Sequence, residues 1–344
     1  MISPFLFHPN LHTVVWGGHR LQAWKALQQT AEPIGESWEV SAVASSPSVI
    51  ANAPYEGLQL PYIIAQQPEE ILGRAVYKKY GAQLPLLVKF IDSERDLSIQ
   101  VHPNDEMAQR VHGKMGKSEM WYIIDAKPGA YLYAGFKDRI TPEEYRQHVA
   151  DGTICDVLAR HEVKKGDVFY LPAGRVHAIG GGILLAEVQQ SSDVTYRIFD
   201  YNRPGMDGRP RELHTDLAAQ ALNFEVLDEY RTIYSDASDR ANHCIDSPYF
   251  SVRIVDANGT FHRNLLKYDS FIITMCIEGD CQLRIRQTGE TVMLREGWSC
   301  LVPAVIADYD ILPLQHHTQL LDAYIDNCDH SLMAKASRFL HITQ

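Results

Sequence analysis

Four side chains of metal-ligating type stand out in the first half of the chain: Gln100, His102, Glu119 and His177. The first two lie in the stretch DLSIQVHPND, Asp96 to Asp105, whose alternation predicts an extended strand. Residues two apart on a strand point the same way. Ser98, Gln100 and His102 therefore share one face, while Leu97, Ile99 and Val101 share the other. Three polar side chains occupy a face that a buried strand would fill with Val or Leu, so that face looks at something polar. Glu119 opens a second strand pattern, EMWYIID, and His177 closes the stretch GDVFYLPAGRVH. Two neutral imidazoles and one carboxylate match catalytic zinc ligation, which uses three protein ligands and leaves a position for water or substrate. A Gln carbonyl oxygen supplies a fourth, weaker ligand. Such N/O donors discriminate poorly among metals, so Fe, Mn, Ni and Co also suit the set, with zinc preferred. Each residue alone has a structural reading: a hydrogen-bonded histidine, or Glu119 paired with Lys117. Their coincidence with the downstream GDVFYLPAGRVH stretch favours a site.

The elements that must position these residues are mainly short strands punctuated by Gly and Pro. LPLLVKFID (84–92), LSIQVH (97–102), EMWYIID (119–125), GDVFYLPAG (166–174) and GILLAEVQQ (182–190) all fit. Many short strands at close spacing predict a mainly β architecture, sandwich or barrel. Helical patterns interrupt them: 103–113 opens on a capping-type Asn-Asp pair, 141–152 has a Thr N-cap followed by Pro, and 211–222 reads as a third helix. Residues 68–81 read as one more helix. An internal echo organises the whole. Gly166, five residues and Pro172 recur as Gly297, five residues and Pro303, each the mark of a strand entered from a tight turn and ended by Pro. Two related β-domains follow, 1–235 and 236–344. The second copy has Val305 and Asp308 where the first has Gly174 and His177, so a metal site belongs to the first copy alone.

The 344 residues carry a formal net charge of −11 and no basic run, which argues against nucleic acid or an anionic membrane as partner. Apolar stretches fall short of a bilayer span. The N-terminus lacks a basic, cleavable leader pattern, and six scattered cysteines read as reduced thiols, which together place the protein in the cytoplasm. Trp16, Trp38 and Trp121 suit either packing or a sugar site.

Gly166-x5-Pro172-x-Gly174-x2-His177 resembles the second motif of the cupin superfamily. The first motif departs, with QVH for the usual H-x-H and 16 residues between His102 and Glu119. That departure, together with LLVKFIDSERDLSIQVHPNDEMA, GKSEMWYII and EVQQSSDVTYRIFDYNR, closely resembles the type I mannose-6-phosphate isomerase family. WGGHRL (16–21) and IGESWEVS (34–41) also fit, and the dense likeness runs from about residue 10 to 220. The resemblance implies two cupin-type β-barrel or jelly-roll domains with helical insertions, the first holding one Zn2+ on Gln100, His102, Glu119 and His177. It also implies interconversion of mannose 6-phosphate and fructose 6-phosphate by proton transfer between C2 and C1 through an enediol. Arg197 is the residue that the resemblance marks as catalytic, with a guanidinium fork suited to phosphate or an oxyanion. Glu187, flanked by apolar neighbours whose burial would raise its pKa, is the candidate base. Lys117 is the alternative base or oxyanion partner, and Lys89 and Ser98 are candidate substrate-binding residues. Two other readings stay open, an iron cupin oxygenase and a non-catalytic sugar-phosphate-binding protein. Oligomeric state is open as well.

Overall fold

The computed structural model describes residues 2–328; the end of the expected second domain, 329–344, lies outside them. Strand-forming residues assemble into four antiparallel sheets stacked as four layers. The first sheet has the order Leu11–Gly18, Ile34–Val40, Leu86–Ser93, Ile183–Gln190, Glu119–Ala126, Val168–Leu171. The second has Tyr196–Phe199, Ile99–Val101, His177–Ile179, Tyr131–Phe136, Leu158–Glu162. The third runs Phe5–Leu6, Ser299–Val302, Ile272–Glu278, Thr318–Tyr324, Ser251–Ala257, Arg240–Asp246. The fourth runs Phe261–Asn264, Asp308–Pro313, Cys281–Ile285, Thr291–Leu294. The third sheet repeats the strand order of the first from the Gly-x5-Pro strand inward, so the sequence echo is a repeat of topology. Both glycines of the echo, Gly166 and Gly297, have positive φ (88° and 80°), which is why the tight turn uses that residue type. Within each pair the strands form two facing sheets, and among the described residues no ladder joins them; the expected barrels are open sandwiches.

Period-two patterning distributes the side chains between layers. On the first sheet Ile91, Trp121, Ile123, Ile183 and Leu185 point into the first sandwich. Their strand neighbours Val88, Phe90, Met120, Tyr122, Ala186 and Val188 point the other way and pack against Ile254, Phe271, Ile273, Met275 and Leu321. The Leu86–Ser93 and Ile183–Gln190 strands are consequently buried on both faces. Phe5–Leu6 crosses from the N-terminus to edge the third sheet, pairing with Leu301 and Cys300.

The helical excursions cover the outer face of the second sheet. Asp105–His112 is capped by the Asn104 side chain, Pro142–Ala150 by a Thr141–Glu144 capping box, and Thr215–Ala221 follows them. Ile99 and Val101 pack beneath these elements together with Met107, Tyr145 and Ala218. Leu97, expected on that same face, packs instead inside the sandwich, because the strand proper spans only Ile99–Val101. The single helix expected over 68–81 is two, Pro68–Leu72 and Arg74–Tyr80. Gly73 has φ +91° at the break, and a Cβ there would fall 2.2 Å from the Asp269 carbonyl oxygen. The Asp269 carboxylate then accepts from the Arg74 and Ala75 amides, so the second sandwich caps a helix of the first segment.

Candidate metal centre and active site

Strand register, not sequence proximity, builds the site. Across the first sheet, Trp38, Lys89, Glu187 and Trp121 stand in one row, each opposite the next. Two residues along, Gln189 faces Glu119. Across the second sheet, Arg197, Gln100 and His177 form the corresponding row, with Ser98 and His102 two residues to either side on the same strand segment. The two rows meet inside the sandwich.

His102, Glu119 and His177 converge, their ligand atoms all within 4.8 Å of one another, and all three are buried. The His102 and His177 Nε2 atoms lie 3.4 and 3.3 Å from the two Glu119 oxygens. Each imidazole turns its other nitrogen to a main-chain carbonyl: His102 Nδ1 lies 2.9 Å from Val194 O, and His177 Nδ1 lies 2.9 Å from Arg175 O. A carbonyl accepts only, so both Nδ1 atoms carry the proton and both Nε2 lone pairs face Glu119, the tautomer a metal requires. Both Glu119 oxygens are fully buried; Oε1 has no hydrogen-bond donor among the described residues, and Oε2 has only the Lys117 ammonium at 2.8 Å. A buried carboxylate oxygen left without a donor, as Oε1 is, is costly, and a cation between Glu119 and the two Nε2 lone pairs satisfies all three groups. Gln100 Nε2 lies 3.3 Å from His177 Nε2, and a half-turn of the amide brings Oε1 to the same place. The residues fit a divalent metal.

Charge is arranged around this cluster. Lys117 Nζ is 2.8 Å from Glu119 Oε2 and 3.2 Å from His102 Nε2. Burial, then the Lys117 charge, push the His102 imidazole down to about 3 against the pull of Glu119. Burial favours a protonated Glu119, but the Lys117 ammonium outweighs it and holds the carboxyl well below its ordinary range. Lys89 is buried between Glu187 at 3.3 Å and Glu36 at 3.5 Å, and over the Trp38 ring at 5.0 Å. Burial disfavours its charge, yet Glu36, Glu187 and Glu119 together raise its pKa above the usual lysine value. Trp121 Nε1 donates to Glu187 Oε2 at 3.0 Å, while Trp38 Nε1 donates to Glu36 Oε2 at 2.5 Å.

A cavity of about 160 Å³ opens beside the metal ligands. Lys89, Ser98, Gln100, Lys117, Glu187 and Arg197 all line it, so the structure brings the sequence-predicted residues to one place. Trp16 lines it too, whereas Trp38 and Trp121 serve through their indole N–H groups. Glu36 and Arg211 also line the cavity and were not expected from the sequence. IGESWEVS carried the signal for Glu36, an acidic residue on the same strand face as Trp38. Arg211 sits in the segment expected to be helical from 211, whereas the helix begins at Thr215 and leaves Arg211 in the approach to it.

Fold and site together define a metal-binding enzyme of cupin architecture. Residues 5–129 match the family profile of the phosphomannose isomerase type I catalytic domain, and residues 240–312 that of the mannose-6-phosphate isomerase cupin domain. The mannose-6-phosphate isomerase ManA of Bacillus subtilis is 33% identical over 90% of this chain and 96% of its own length. That of Streptococcus mutans is 32% identical over 90% and 95%. The crystal structure of a Bacillus subtilis mannose 6-phosphate isomerase superposes with a TM-score of 0.84 at 33% identity, covering 94% of this chain and all of that one. A zinc-bound mannose 6-phosphate isomerase shares the fold at 18% identity and a TM-score of 0.75, with 94% and 100% covered. The chain belongs to the type I phosphomannose isomerase family, and its activity is mannose-6-phosphate isomerisation.

Proposed function

We propose that the reaction runs in the cavity between the two facing rows, with zinc held by His102, Glu119, His177 and the Gln100 amide oxygen, one ion per chain. The donor set supports zinc, two imidazoles with both Nε2 lone pairs inward, one carboxylate and one neutral oxygen. When bound, the metal supplies Lewis acidity toward the oxygens of the open-chain sugar.

The chain's own residues do the rest. Glu187 removes the C2 proton and returns it to C1, its second oxygen steadied by Trp121 Nε1 and its charge balanced by Lys89. Lys117 donates toward the oxygen that gains charge as the enediol forms, from its place beside Glu119. Ser98 and Lys89 hold substrate hydroxyls. Arg197 meets the anionic end: its Nη1 donates to Glu212 O at 3.0 Å, while its buried Nε has no hydrogen-bond partner among the described residues. A sugar phosphate is the partner, and the division of the chain near 235 separates this catalytic sandwich from a ligand-free copy. The observation that carries the reading is the His102–Glu119–His177 cluster inside a cavity lined by the base and the cations.

The test is chelation followed by reconstitution metal by metal, with mannose 6-phosphate supplied and fructose 6-phosphate followed. Activity lost on chelation and restored best by stoichiometric zinc is the expected result. Full turnover in verified metal-free protein overturns it.

A further inference from the structure

Deepening the reading above, on which it rests, we infer that Arg211 is a second phosphate-binding guanidinium and that Asp200 is the positioning residue that aims it. Arg211 lines the same cavity as Arg197, Ser98 and Lys89. Its Nε and Nη2 both meet the Asp200 carboxylate at 2.6 Å, a two-point grip along one edge of the fork. That grip leaves Nη1, at the other edge of the planar group, without a partner among the described residues. Asp200, 5% exposed, also accepts from Arg203 Nε at 2.9 Å on Oδ1, with Arg203 Nη2 2.8 Å from the same oxygen. One buried carboxylate is thus shared by two arginines, with Arg197 beside them. Its nearby acid, Glu212, is 83% exposed at the side chain and engages Arg197 only through its main-chain carbonyl. Three guanidiniums against one buried carboxylate leave a cationic corner on a protein of net charge −11.

Arg203 and Arg211 share Asp200 Oδ1, and Arg211 Nε takes Oδ2, so a single carboxylate charge balances only one of the three guanidiniums. A phosphate monoester, at −1.5 to −2 charges near neutral pH, supplies what is missing. The backbone fixes the two cavity-facing arginines relative to each other. Arg197 N donates to His214 Nδ1 at 3.2 Å, and His214 N donates to Arg197 O at 2.7 Å. Residues 211–214 are thereby tied to the Tyr196–Phe199 strand, and the 211–214 segment carries Arg211 alongside Arg197. Arg197 binds from the strand, through its unpartnered Nε, and Arg211 from the returning segment, through Nη1. The pair makes phosphate, rather than the sugar alone, the feature the enzyme selects.

The test uses the full-length, metal-loaded protein with Arg211→Gln, Arg211→Lys and Asp200→Asn. Inorganic phosphate binding is measured by titration calorimetry, and KM and kcat for mannose 6-phosphate are measured separately. Loss of a charge-assisted contact is worth roughly 10- to 100-fold, so Arg211→Gln is expected to raise Kd for phosphate and KM by that factor. Its kcat is expected to stay within about threefold, because the contact is made equally in ground and transition states. Arg211→Lys keeps the charge but loses the fork, and Asp200→Asn loosens the aim; both are expected to give smaller rises in the same direction. Phosphate affinity unchanged in Arg211→Gln overturns the assignment. Should that variant not fold, unchanged affinity in Arg211→Lys overturns it equally. The calorimetry needs no turnover, so a wild-type protein inactive on mannose 6-phosphate would reject the isomerase roles while still deciding whether Arg211 holds phosphate.

Discussion

A main-chain carbonyl on each imidazole decides what the metal centre can do with protons. Val194 O and Arg175 O fix the Nδ1–H tautomer, so His102 and His177 stay neutral with Nε2 aimed at Glu119. The sign of the resulting pH dependence follows. An unfolded histidine titrates near 6.5, whereas folded His102 is held down to about 3. Between those values the unfolded chain binds more protons, so this stability is complete above pH 6.5 and is lost progressively as pH falls toward 3. Burial lowers His177 in the same direction. Thermal unfolding of metal-free protein should show a Tm several degrees lower at pH 5 than at pH 7.5, and equal values would contradict neutral burial. Substitution separates the proposed metal ligands from Arg197, proposed to meet the substrate's anionic end. His177→Ala should release the metal, read by elemental analysis. Arg197→Ala should keep about one metal per chain and cut kcat/KM by roughly 10- to 100-fold, the loss of a charge-assisted contact. Metal loss in the latter would move Arg197 from substrate to scaffold.

At the level of elements, the second wall of the cavity depends on a close backbone approach. Gly35, on the Ile34–Val40 strand, lies under Val14 and Trp16, both of which line the cavity. A Cβ there would fall 2.2 Å from Val14 Cγ2 and 2.6 Å from the Trp16 ring. Gly35→Ala should therefore displace the Trp16 wall, at a cost of about 1–3 kcal/mol for overpacking. Raised KM with unchanged metal content is expected, and unaltered kinetics would show that the wall yields freely. The sequence made the strands that hold the ligands legible because their signals are local: alternation at 97–102, the Gly-x5-Pro turn, and caps at Asn104 and Thr141. It could not show which residues stand opposite one another. Lys89 meets Glu187 through pairing across 98 positions of chain, and Glu36 enters through a third strand. Arg211 reaches the cavity only because Asp200 and the His214 link fold its segment back. The break at Gly73 was hidden for the same reason, since the group that excludes a Cβ there belongs to Asp269, far along the chain.

At the scale of the whole molecule, the copy without the ligand set serves as a wall. Asp322 occupies in the third sheet the place that Glu187 holds in the first, yet it is consumed by Arg263 at 2.9 Å and Thr274 at 2.8 Å. Ile272 stands where the first copy has Glu119, paired with Val302 beside the Pro303 turn. The second copy keeps the sheet without that donor set, and its outward face covers the first sandwich. Met120, Tyr122, Ala186 and Val188, on the same strands as Glu119 and Glu187, share one buried cluster with Ile273, Met275 and Leu321. A buried lysine reinforces that seam: Lys25 Nζ pairs with Glu39 at 2.8 Å, meets Gly297 O, and lies 4.4 Å from the Trp298 ring. Strands buried on both faces have no solvated face to fall back on, so the two sandwiches should unfold together. Ile273→Ala, wholly within the second copy, should cost about 2–5 kcal/mol as a cavity mutation. It should lower the midpoint of a single transition, followed both by tryptophan fluorescence, with Trp121 in the first sandwich, and by far-ultraviolet circular dichroism. It should also lower the temperature at which the enzyme loses activity by the same amount, although no catalytic group is touched. Two separated transitions, with activity surviving the first, would show that the catalytic sandwich stands alone and that the third sheet merely rests against it.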